Sequence, residues 1–199
     1  MPQQYMGPGI VSIYTQAMDV YEFILIPSSI IVGLGIAELF GGVVRILRGE
    51  LKAGSLHSLW ITLVFGYQVQ WFWASWEMST RGNWLFPEFI IFIIGPIGLY
   101  MAAAMLFPAT DSDESLDVHF LAGRRPFFLI LALILTSFSL SGWFVVKEPL
   151  GYQDLSRLIA IIMYGVLAVT KHRGIHLVSV LIFLGSLLMF INFFTLRVG

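Results

Sequence analysis

The chain has 199 residues, of which 58% are hydrophobic and 12% charged, with a mean hydropathy of +0.86 and a formal net charge of -1. Soluble domains carry about one quarter charged residues, so this composition predicts a single all-α membrane domain, 1-199, built as a bundle of transmembrane helices. The near-neutral balance argues against nucleic acid as a partner, and the absence of cysteine excludes a disulfide framework, a CxxC redox pair and a thiolate metal site.

The segment from Met1 to Asp19 has no basic region ahead of its apolar residues, so no cleaved signal peptide is expected. Beyond it, six apolar runs approach the length of about 20 residues that a hydrocarbon core about 30 Å thick requires. They cover 22-45, 58-78, 85-107, 126-147, 155-171 and 176-196, with a polar loop at 109-125.

The first run holds Glu38 inside the apolar stretch Ile30 to Val44, with Arg45 the nearest basic residue. An acid at that depth is costly unless it is paired, neutralised or facing water, which makes it a functional candidate. Its structural reading is a carboxyl group hydrogen-bonded to a facing helix. Its functional reading is a group that binds a proton or cation on a pathway. The same run carries Ser29, Gly33, Ala37 and Gly41 at four-residue spacing, a stripe of small residues that lets another helix backbone approach closely.

The second run contributes Tyr67, Gln68 and Gln70, and Trp71, Trp73, Trp76 and Trp84 mark a membrane interface near its end. In the third run Pro96, flanked by Gly95 and Gly98, withdraws a backbone donor and predicts a broken helix. Within the loop, Leu116, Phe120 and Leu121 fit one face of a brief amphipathic helix. Pro126 is expected to open the fourth span, which carries Thr136 and Ser137. Asp154 is a cap for the fifth span, Tyr164 lies near its middle, and Gly174 closes a turn before the sixth.

Aligning span centres places Gly35, Gln68, Pro96, Thr136 with Ser137, Tyr164 and Ser186 at one depth. A shared polar layer is where transporters hold solutes, although such residues also serve close helix packing. Division around the loop gives three spans plus three, the parity of an inverted-repeat transporter. Arg45, Arg48, Lys52, Arg124, Arg125, Lys171 and Arg173 fall on one side, and Arg81, Lys147, Arg157 and Arg197 on the other. The first, larger group is assigned to the cytoplasm with the acidic loop, which puts both termini outside.

The four histidines share the cytoplasmic side, and His119, His172 and His176 with Asp117 form a remote metal-site reading. No metal and no cofactor is called for by any motif. There is no deep lysine for a retinal Schiff base, no arginine ladder, no GxSxG, Walker A or GxGxxG, and no membrane-depth histidine for haem, so enzymatic catalysis is not the expected role.

Leu34 to Lys52, the pattern His57, Trp60, Gln68, Gln70 and Trp71, the sequence Asp117 to Phe120, and Arg124 to Phe128 resemble a group of uncharacterised small multi-pass bacterial inner-membrane proteins. The resemblance implies a bacterial inner-membrane location and carries no biochemical role. Three functions remain from the residues. The first is a small channel or transporter using the polar layer, with Glu38 as its titratable group. The second is a non-catalytic membrane subunit, lipid-binding module or sensor acting through helix packing. The remote third is a cytoplasm-facing metal hydrolase. Besides the lipid bilayer, the expected partner is either a second copy of the chain or another member of a membrane complex.

Overall fold

The computed structural model describes residues 19-80, 82-110, 113-146 and 151-192. Arg81, Asp111, Lys147, Arg197 and positions 193-196 of the last expected run lie outside the described residues, as does the segment before Asp19.

All six apolar runs form helices: α1 (Val20–Leu47), α2 (Ser55–Ser75), α3 (Phe86–Met105), α4 (Leu116–Leu140), α5 (Tyr152–Val169) and α6 (Arg173–Phe190). No strand occurs among the described residues. Four helices are long and apolar enough to cross a membrane: α1, α3, α4 with its continuation to Phe144, and α6. His57, Gln68 and Gln70 dilute the hydropathy of α2, and Asp154 and Arg157 occupy the start of α5.

The 28 residues of α1 span about 42 Å at 1.5 Å per residue, longer than one hydrocarbon core. Glu22 anchors its start by accepting a hydrogen bond from the Asp19 backbone amide at 3.2 Å. Glu88 does the same for α3, at 2.8 Å from the Leu85 amide, and Asp154 for α5, at 2.8 Å from the Gly151 amide. Each reciprocal carboxylate satisfies a backbone donor that the first helical turn leaves free.

Three boundaries differ from the sequence reading. Helix α3 runs unbroken through Pro96. The glycines beside it let neighbours close in: a Cβ at Gly95 would lie 2.8 Å from Trp71 Nε1, and one at Gly98 would lie 2.5 Å from the Ile134 side chain. Tight packing of this kind supports a helix despite one missing donor. Helix α4 begins at Leu116, so the polar loop ends ten residues earlier than expected and Pro126 sits inside the helix. Leu116 and Phe120, expected on a brief separate helix, are instead buried in its first turns. Gly174 lies in the first turn of α6, and the turn itself comprises Thr170 to His172.

Helices α1, α3, α4 and α5 pack in succession, each chiefly against the next, and α2 contacts α1, α3, α4 and α6. Thus α1 packs chiefly on α3 whereas α4 packs chiefly on α5, and the first three helices do not pack as the last three do. The core centres on Trp60, fully buried in α2 and ringed by Phe120, Phe127, Phe128 and Phe183 at centroid distances of 5.0 to 6.2 Å. Offset and edge-on aromatic contacts of this kind add to the packing of a core.

Candidate functional site

Helix α1 has two faces of different character. Its inner face buries Val32, Gly35, Leu39 and Gly42. The Gly35 position is filled by Gln68, whose Nε2 would lie 2.7 Å from an added Cβ, and Gly42 accommodates the Phe107 ring in direct contact. These two glycines are required by packing within the chain.

The opposite face exposes Ile30, Gly33, Leu34, Ala37, Glu38 and Gly41. A Cβ placed at Gly33 or Gly41 would meet nothing within 4 Å, so no described part of the chain packs against the stripe at these two glycines. Ser29, at its start, is half-buried. Glu38 makes no hydrogen bond or ion pair among the described residues. The Arg45 guanidinium, seven residues on, turns instead to the Pro108 carbonyl at 3.0 Å and to Glu50 at 3.8 Å.

The expected polar layer is divided between interior and surface. Gln68 is fully buried, with its Nε2 3.5 Å from the Leu99 carbonyl and its Oε1 without a partner among the described residues. Tyr67 and Tyr164, from α2 and α5, meet with their hydroxyls 3.0 Å apart, and Tyr164 packs on Phe183 at 4.7 Å. Ser137 is buried and donates to the Ile134 carbonyl at 2.7 Å. Exposed Thr136 donates to the Ala132 carbonyl at 2.8 Å. Both hydroxyls are satisfied by their own helix. Pro96 is buried, Gln70 is half-buried and engaged, and Ser186 is exposed. Glu38 therefore lies on a different side of α1 from Gln68. Among the tryptophans, Trp73 and Trp76 are exposed, whereas Trp71 is buried against Phe92 at 5.1 Å.

One groove of about 300 Å³ lies between α4 and α5, lined by Thr136, Ser139, Leu140, Trp143, Leu155 and Leu158 with Asp154 at one end. The Trp143 indole donates to Asp154 at 3.1 Å from a π-helical turn, Ser141–Val146, that continues α4. A widened turn of this type re-aims side chains relative to the preceding helix.

At the other end of the bundle, Asp117 ties three helices together. It accepts from the His57 backbone amide at 2.9 Å and from the Arg173 guanidinium at 2.8 Å, while Arg173 also donates to Ser55 Oγ at 2.9 Å. Asp117 of α4 thus caps one free amide, that of His57, in the first turn of α2 from outside that helix. His57 Nε2 lies 2.6 Å from the Leu106 carbonyl, an acceptor only, so this nitrogen carries the proton. Arg124 is buried and donates to the Leu121 and Val169 carbonyls at 2.9 and 3.4 Å, where it complements the C-terminal end of α5. Sequence reasoning named His57, Trp60, Asp117, Phe120, Arg124, Phe127 and Phe128 as carriers of the resemblance but did not bring them together as this junction or the Trp60 cluster. Residues 60 apart in the chain gave no local spacing by which Asp117 could be matched to His57.

The remote metal reading required Asp117, His119, His172 and His176 to converge. Asp117 is engaged as described, and His176 stacks on Phe128 at 5.4 Å with its Nε2 3.1 Å from the Thr170 carbonyl. No group of three or more His, Asp or Glu side chains that could hold a metal occurs among the described residues. Compared with protein-family models, curated proteins and solved structures, the chain matches none.

Proposed function

We propose that this chain is an integral membrane protein that acts as a non-catalytic subunit, through helix packing, and not as a conduit for solute. The observation that carries the reading is the position of Glu38. It projects from the outer face of α1, while Gln68, Ser137 and Tyr164 are buried in the helix contacts of the interior. A pathway would bring titratable and polar groups to one water-accessible layer. Here the interior layer is packed by side chains, and the intramembrane acid faces whatever surrounds the bundle.

In this reading the end bearing Arg45, Arg48, Lys52, Arg124, Arg125, Lys171 and Arg173 faces the cytoplasm, and the termini face outward. The bacterial inner membrane, implied by the resemblance of Leu34 to Lys52, is its location. Its partners are the bilayer and a neighbouring membrane chain, whether a second copy or another member of a complex. The channel or transporter reading makes the opposite prediction for flux. Reconstituted protein is expected to pass protons and monovalent cations no faster than empty liposomes. Flux that Glu38→Gln abolishes would contradict the subunit reading and restore the pathway.

A further inference from the structure

The basic residues at the end of the bundle assigned to the cytoplasm are divided by their partners. Arg45 and Arg48 pair with Glu50, Lys52 with Asp113 and Arg173 with Asp117, while Arg124 donates to backbone carbonyls. The side chains of Arg125 and Lys171 are exposed and have no hydrogen bond or ion pair among the described residues. Both flank one seam. The Arg124 guanidinium reaches the Val169 carbonyl at 3.4 Å, which sets the adjacent Arg125 of α4 level with the end of α5, and Lys171 follows shortly after Val169 in the turn. That turn leads into α6, whose N-terminus no side chain caps among the described residues, so its free amides add to the positive potential there.

From these cations the seam leads to the groove between α4 and α5. Helical register puts Arg125, Leu129, Thr136 and Leu140 on one line of α4, and the last two line the groove. On α5 the facing line runs from Asp154 through Leu158 and Ile161 to Gly165, where an added Cβ would meet nothing within 4 Å, so the seam stays open beyond the groove. Its flanks are apolar, with Leu129 and Val169 both largely exposed. Thr136 lies about 16 Å from Arg125 along the helix, close to the depth of one leaflet, about 15 Å, in a hydrocarbon core of about 30 Å. Two unpaired cations at headgroup level, above an apolar seam one leaflet deep, complement an anionic headgroup and its acyl chain.

Resting on the membrane reading above, we propose that the α4–α5 seam binds an anionic phospholipid of the cytoplasmic leaflet. Its phosphate lies between Arg125 and Lys171, and one acyl chain passes Leu129 and Gly165 to end where Thr136 and Ile161 open the groove.

The test places the full chain in phosphatidylcholine vesicles containing a trace of phosphatidylglycerol or phosphatidylcholine with a photoreactive diazirine near the end of one acyl chain, and maps the crosslinks by mass spectrometry. The phosphatidylglycerol probe is expected to label the seam, around Thr136 and Ile161, about tenfold more than the phosphatidylcholine probe. Arg125→Gln combined with Lys171→Gln is expected to bring that ratio near one, and Gly165→Leu to cut seam labelling several-fold. The charge-matched pair Arg48→Gln with Lys52→Gln is expected to leave both unchanged. Arg125 and Lys171 are unpaired and Gly165 meets no atoms, so the seam variants are expected to keep the wild-type helical content. A ratio near one in the wild type, a ratio that survives loss of Arg125 and Lys171 or falls equally with loss of Arg48 and Lys52, or labelling indifferent to Gly165→Leu overturns the proposal. The phosphatidylcholine probe reports separately on the membrane reading. No labelling of the exposed Leu177, Val178 and Leu181 of α6 overturns both claims, whereas labelling there without a headgroup preference at the seam overturns only the lipid site.

Discussion

Single side chains hold this bundle together by very different amounts. Asp117 satisfies the His57 amide and the Arg173 guanidinium at once from a largely buried position. Replacing it with alanine leaves a buried backbone donor without a partner, a loss of about 1 to 3 kcal/mol. Arg173 is largely exposed, with 59% of its side chain accessible, so Arg173→Met should cost under about 1 kcal/mol. Unfolding of the two variants in detergent micelles would separate these values, and equal losses would show that the ion pair, and not the cap, stabilises the junction. Trp60→Ala should be more damaging than either, at about 3 to 5 kcal/mol, because four phenylalanine rings close around the indole.

The glycines of α1 show how one helix carries two kinds of surface. Gly42 is filled by the Phe107 ring, so Gly42→Ala forces that ring to shift, at a cost of about 1 to 3 kcal/mol. Gly33→Ala and Gly41→Ala meet no atoms and remove glycine from a helix interior, so each should stabilise the isolated chain by about 0.5 to 1 kcal/mol. A thermal melt series over these three variants checks the contrast, and a destabilising Gly33→Ala would place that face inside the fold. Sequence alone located the small residues without dividing them, because four-residue spacing fixes a stripe but not which stripe meets α3. It located all six helices for a related reason: hydropathy and a capping residue such as Asp154 act locally. It lost the boundary at Pro126, where burial of Leu116 and Phe120 outweighs the missing donor of one proline. The pairing of Tyr67 with Tyr164 joined a candidate on the second span to a residue read as a midplane group, while the contact between them depended on how α2 and α5 meet.

For the whole molecule, the arrangement places a packed aromatic interior beside an outer helix face that bears an acid. Lys52 bonds Asp113, Arg124 donates to the Val169 carbonyl at the end of α5 and Arg173 to Ser55 at the start of α2; on the proposed membrane reading this basic group supplies the charge asymmetry that orients the chain. The most direct test of this account is a cysteine scan of the cysteine-free chain in vesicles, comparing oxygen with water-soluble nickel accessibility of spin labels at Gly33, Ala37, Gly41 and Gln68. The account predicts high oxygen and low nickel access at the three α1 positions, repeating with helical periodicity, and low access to both reagents at Gln68. High nickel access at Gln68 together with the α1 positions would reveal a water-filled path and contradict it.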